Sequence, residues 1–231
     1  MRRPATMALV AALAGGCASP YRPTETGFLS SYAGMTPDLF HLNRGIGLQR
    51  AETRPAAAVD LAAIDSYYVE PVEWRVDPAS RGGKAAWRRD WLCTTLERQF
   101  RDRLATTKPV VDRPGPRTAR VRAAITTVRL SRPVSNVALT ATLISPYGVG
   151  PIFFGGAAVE AEVIAPDGRQ VAAVSTASGG GWLDVAGYYT RSDHARKAMR
   201  RSADELVQAV DASMIGPPSA TLIGEPPGPV R

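Results

Sequence analysis

The stretch "VEAEVIAPDGRQVAAVST", Val159 to Thr176, restricts the fold more than any other part of the chain. Val159, Ala161 and Val163 alternate with Glu160 and Glu162. Such alternation sends apolar and polar side chains to opposite faces of a strand. Pro166-Asp167-Gly168 supplies turn chemistry, and Val171 to Thr176 returns as a second strand. The pattern predicts a β-hairpin with Glu160 and Glu162 on its solvent face. The domain must therefore contain an antiparallel sheet.

The flanking segments fill in the rest. "ARVRAAITTVRL" alternates Val121, Ala123 and Ile125 with Arg120, Arg122 and Ala124, which predicts a half-buried strand. "IDSYYVEPVEW", Ile64 to Trp74, is another strand, with Pro71 marking an edge or a bulge. A helix is predicted from about Lys84 to Ala105, with Ala85, Leu92, Cys93, Leu96, Phe100 and Leu104 on one face. Trp87 and Trp91 fall on the opposite side, near Arg98 and Asp102. They read as covered by the N-terminal "GFLSSY" segment or a loop, or else as a partner surface. The last helix runs from about Ser192 to Met214, with Met199, Ala203, Leu206, Val210 and Met214 as its apolar stripe. Thr190 and Asp193 form a capping-box-like start, and His194, Lys197, Arg200 and Arg201 make a basic outer face. The expected architecture is α+β: a small antiparallel sheet of about four to five strands with two amphipathic helices packed on one face.

The N-terminus reads as an address. Arg2 and Arg3 precede "MALVAALA", an apolar run too short to cross a bilayer. Ala14, Gly15 and Gly16 then lead to Cys17, and here the sequence resembles a bacterial lipoprotein signal, with Ala14 where a leucine is usual. The resemblance implies cleavage before Cys17, a diacylglyceryl group on its thiol, and an acylated amino terminus carrying chains such as palmitate. Two or more chains anchor a protein stably. Ala18 follows the cysteine where lipoproteins retained in the inner membrane often carry Asp, so the implied location is the outer membrane, facing the periplasm. Cys93 would then be a buried free thiol. The alternative is ordinary secretion, which allows a 17–93 disulfide.

The chain divides on this reading into a signal peptide (1–16), a lipidated tether and docking segment (17–62), a periplasmic α+β domain (63–215) and a disordered Pro-rich tail (216–231). Within the second part, Phe28, Leu29 and Tyr32 are expected to dock on the domain.

Formal net charge is +7, and only Lys84, Lys108 and Lys197 among the 28 basic residues are lysines. That arginine bias is what genome composition alone produces, so nucleic acid is not inferred. An anionic membrane surface or glycan suits an exported chain better. Pro133 to Val159 carries no charge. Its prolines and glycines argue against a transmembrane helix. It reads either as a packed loop and strand, or as a β-hairpin inserted into an oligomeric barrel.

No chemistry stands out. His41 and His194 have no neighbours at metal-ligand spacing, and there is no G-x-S-x-G or P-loop pattern. "SGGGWLD" lacks the Lys-Ser/Thr of a phosphate cradle, and Asp193-His194 reads as a capping pair. Asp184, Glu160 and Glu162 form no acid pair, and a buried Cys93 is inert as a nucleophile. The sequence thus names no catalytic residue, no metal site and no cofactor.

The Cys17 signal, "GFLSSY", "YYVEPVEW", the hairpin, a Gly-rich stretch leading to Trp182 and Asp184, and "ARKAMRRSADELV" together resemble a family of bacterial outer-membrane lipoproteins of unknown function. The resemblance implies location and architecture but no activity. The expected role is non-enzymatic binding or scaffolding of an envelope protein or an anionic glycan or lipid. The candidate surface is Trp87, Trp91, Arg98, His194, Lys197, Arg200 and Arg201. Two alternatives are an oligomeric secretion or channel-type lipoprotein using residues 133–159, and a periplasmic enzyme acting on glycan or lipid near Trp182, Asp184 and His194.

Overall fold

The computed structural model describes residues 25–37, 49–80, 83–129, 155–179 and 193–211. In chain order its elements are β1 (Thr36–Pro37), β2 (Gln49–Arg54), α1 (Ala58–Ala62), β3 (Ser66–Val69) and β4 (Glu73–Trp74), then a 3-10 turn (Gly83–Arg88) that runs into α2 (Arg89–Leu104). There follow β5 (Val110–Val111), β6 (Thr118–Arg129), β7 (Gly156–Ile164), β8 (Gln170–Gly179) and α3 (Asp193–Val210). The hairpin read from the sequence is β7–β8, in the middle of the sheet. Gly168 takes φ +87° in its turn, a conformation that glycine adopts without a Cβ penalty.

The sheet corrects the expected architecture. It has eight strands in the order β1-β2-β8-β7-β6-β3-β5, with β4 also paired to β6. It is mixed: β3 and β4 run parallel to β6, and β5 runs parallel to β3. Among the described residues three helices accompany it, not two. The missed strands have a common explanation. β1 and β5 are two residues long, too short to show alternation. β2 reads "QRAETR", a linker-like composition, and becomes a strand because β8 pairs with all of it. The span read as a tether thus supplies β1, β2 and α1 to the fold. Between β3 and β4 lies Pro71, which has no N–H to give the ladder and splits the strand read over Ile64–Trp74 into two pieces along β6.

The helices cover one face. Leu92, Leu96, Phe100 and Leu104 of α2 and Met199, Ala203, Leu206 and Val210 of α3 share a core with Val121, Ile125, Val159, Ala161, Val163 and Val174 of the sheet. Each such aliphatic chain contributes about 1.5–3 kcal/mol when fully buried. Two of the polar groups inside are matched to each other: the Thr176 and Ser202 hydroxyls lie 2.6 Å apart, and Ser202 also donates to the Ala198 carbonyl. The other face carries a second, smaller cluster of Phe28, Leu29, Ala124 and Ala173, flanked by Tyr32 and Met35.

Candidate functional site

Two places carry polar chemistry, one on each side of the sheet. On the side away from α2 and α3, Glu160 and Glu162 project from β7 and are fully buried, not solvent-facing as the alternation suggested. Alternation separates the two faces of a strand but does not say which is wet. Across the sheet Glu160 stands opposite Ala124 and Ser175, and Glu162 opposite Arg122 and Ala173. These mostly small neighbours leave a shelf, and residues 26–32 lie on it.

The segment binds the carboxylates atom by atom. Glu160 accepts from the Thr26 N–H (3.0 Å), the Thr26 hydroxyl (2.9 Å) and the Tyr32 hydroxyl (2.8 Å). Glu162 accepts from the Ser30 N–H (2.7 Å), the Ser30 hydroxyl (3.1 Å), Arg122 Nη1 (2.9 Å) and Gln170 Nε2 (2.7 Å). A buried charge is tolerated only when satisfied in this way. Gly27 turns the chain with φ +76°, and its N–H donates to the Tyr32 oxygen. Phe28 is capped by two guanidiniums, Arg122 at 4.9 Å and Arg75 at 5.3 Å from the ring centre. Burial, and then the hydrogen bond to Glu160 and its charge, push the Tyr32 phenol above its ordinary value. We call this arrangement the clasp.

On the helical side, α2 and α3 leave a groove of about 350 Å³. Helix α2 contributes Trp91, Thr95, Arg98 and Gln99, and α3 contributes Asp193, Arg196, Lys197 and Arg200. Four cations therefore surround one carboxylate. Asp193 pairs with Arg196 (3.0 Å) and Lys197 (2.9 Å). Burial pushes its carboxyl up, but Lys197 and then Arg196 prevail and hold it below the usual range. Asp204, beyond the rim, is raised by burial against the pull of Arg103 and Arg200.

The surface expected from the sequence is only partly assembled here. Trp91, Arg98, Lys197 and Arg200 line the groove. Trp87 lies outside it and is 64% exposed, while Trp91 is 41% exposed. The expected covering of the tryptophans by "GFLSSY" is not found: that segment docks on the opposite face of the sheet. Arg88 instead lies 4.4 Å over Trp87 and 5.5 Å over Trp91. His194 is buried and accepts the Gly155 N–H at Nδ1, and Arg201 donates to the Ser178 hydroxyl, so neither joins the groove. Cys93 is half-buried with a free thiol, and burial raises its pKa. Cys17, Trp182, Asp184, Thr190 and Met214 lie outside the described residues.

Sequence reasoning missed the clasp chemistry of Thr26, Ser30, Arg122 and Gln170. The available signal was a pair of glutamates two apart in a strand otherwise built of small apolar residues. Among the described residues, no group of three or more His, Cys, Asp or Glu is placed to hold a metal ion. No helix among them is long and apolar enough to cross a membrane.

Residues 24–206 match the family model described as protein of unknown function (DUF3313). No curated protein matches the sequence. Among solved structures, the PelC dodecamer from Paraburkholderia phytofirmans is similar at 12% identity, over 69% of this chain and 97% of that one, with a TM-score of 0.40. A leucine-to-methionine variant of that dodecamer gives 14%, 70%, 97% and 0.38. Likeness at this level carries neither an assembly nor a partner over to this chain.

Proposed function

The chain belongs to the DUF3313 family, and on that premise we propose that it is a non-enzymatic lipoprotein of the outer membrane, anchored through Cys17, whose periplasmic domain binds an anionic envelope component. The groove between α2 and α3 carries this reading. Its four cations and one exposed indole come from two rigid helices, and among the described residues Arg98 has no carboxylate within ion-pair distance. A cationic surface left open on regular elements is suited to recognising charge. The clasp has a supporting role, tying the lipidated N-terminus to the sheet.

Two measurements test this. Cys17→Ser is expected to release the protein from the outer-membrane fraction; retention there overturns the anchor. Full-length protein is expected to retain anionic envelope material that the Arg98→Glu/Arg200→Glu variant does not; equal retention by both overturns the groove.

A second reading has its own observation. β6 and β7 are antiparallel neighbours, paired as far as Arg129↔Gly156. The uncharged stretch from Pro133 is therefore the connection at the open end of a ready-made hairpin, although its last residues, Gly156–Val159, belong to the central sheet. An oligomeric secretion or channel-type lipoprotein inserting this connection would use that geometry. Ring-like assemblies of the lipidated protein in detergent support it; a strict monomer removes it.

A further inference from the structure

We propose that the groove between α2 and α3 takes a carboxylate-bearing polysaccharide chain; this rests on the reading of the groove as the binding site. Three observations select that ligand among anions. The first is charge: Arg98, Arg196, Lys197 and Arg200 converge on the groove, and its one carboxylate, Asp193, is already held by Arg196 and Lys197. Guanidinium groups match carboxylates bidentately.

The second is the remaining lining. Trp91 supplies one flat apolar plate, Thr95 a hydroxyl and Gln99 an amide, and no aliphatic side chain lines the groove. Protein interfaces are built around a fully buried apolar centre, which this groove cannot provide. A pyranose chain needs what is present: an aromatic face for the C–H side of the ring, and donors and acceptors for its hydroxyls. The volume of about 350 Å³ sits near the lower end of the ~300–1,000 Å³ usual for ligand sites, which fits a short section of a longer polymer.

The third is orientation. The N-terminal segment is clasped to the sheet on the face away from the helices. The connection from Cys17 to Thr26 spans at most ~32 Å when fully extended. Pressing the groove onto the bilayer would use about 20 Å of that reach simply to pass a sheet and a helix layer. A domain clasped on the opposite face lies most readily with the groove turned away from the anchor and toward soluble polymer.

The test uses full-length protein in detergent, with polygalacturonate, neutral dextran, polyglutamate and phosphatidylglycerol vesicles as probes, followed by Trp fluorescence and calorimetry. Polygalacturonate should bind in a salt-sensitive way and dextran should not bind. Arg98→Ala/Arg200→Ala should weaken binding at least tenfold and Trp91→Ala about threefold. Arg117→Ala/Arg120→Ala, an equal loss of charge at the start of β6, should leave it unchanged. Polyglutamate or vesicles bound at the groove as tightly as polygalacturonate would overturn the polysaccharide and leave an anion-binding groove standing. No binding in any arm would overturn both.

Discussion

Along β7, successive residues meet opposite worlds. Val159, Ala161 and Val163 sink into the helix-covered core, where any well-shaped aliphatic neighbour serves. Glu160 and Glu162 meet the clasp, where seven hydrogen bonds each name a particular donor. The first face is held by area, which is large and indifferent to sequence detail. The second is held by matched charge and geometry, which adds little net stability but penalises every wrong occupant. The contrast separates two jobs: the helix face makes the domain stable, and the clasp face fixes which segment lies on it and in what register.

The largest test of that division is Leu96→Ala, in the middle of the helix-face core. It should cost about 3–4 kcal/mol, read as a lower urea midpoint with an unchanged slope. Next, Glu162→Ala should cost about 2 kcal/mol, since it strands the donors of Ser30, Arg122 and Gln170. If Glu162→Ala proved more damaging than Leu96→Ala, the division of labour would be reversed.

Tyr32→Phe should cost about 1 kcal/mol and show itself mainly as faster proteolysis near residues 26–32. The same group sets a pH limit. Its folded pKa lies above the ordinary 10.0, so the clasp is at full strength below pH ~10 and weakens as pH rises through the folded value. Protection of residues 26–32 from exchange or cleavage should fall there before the helix-face core opens. Loss of both together would mean that the two faces are one cooperative unit.

The smallest stability effect is expected in the groove. Asp193→Asn should move stability by no more than about 0.5 kcal/mol while strengthening anion binding, because the groove loses the negative charge that Arg196 and Lys197 now hold. Weaker anion binding by this variant would mean that Asp193 is itself a ligand contact.

What the sequence disclosed follows the same divide. The β7–β8 hairpin and the stripes of α2 and α3 were legible because repeated apolar spacing is a long-range average over many residues. β1 and β5 were not, because two residues carry no period. The clasp was hidden for a different reason. Glu160 and Glu162 look like solvent-facing residues until Thr26, Ser30 and Tyr32 are brought more than a hundred positions along the chain to meet them. Helical spacing put Trp91 with Arg98 on one helix and Lys197 with Arg200 on another, but only tertiary packing shows that these four line one groove while His194 and Arg201 do not.

The pairing of β2 with β8, Gln49 against Ser178, also sets a timetable. A strand near the beginning of the chain must wait for one near its end, and such distant pairings close slowly. A polypeptide threaded through a pore with its amino terminus first cannot finish this sheet while residues 170–179 are still on the near side. Until then β2 and the clasp segment have no seat, and the chain stays pliable enough to thread. For an exported chain, this topology couples completion of folding to completion of transit.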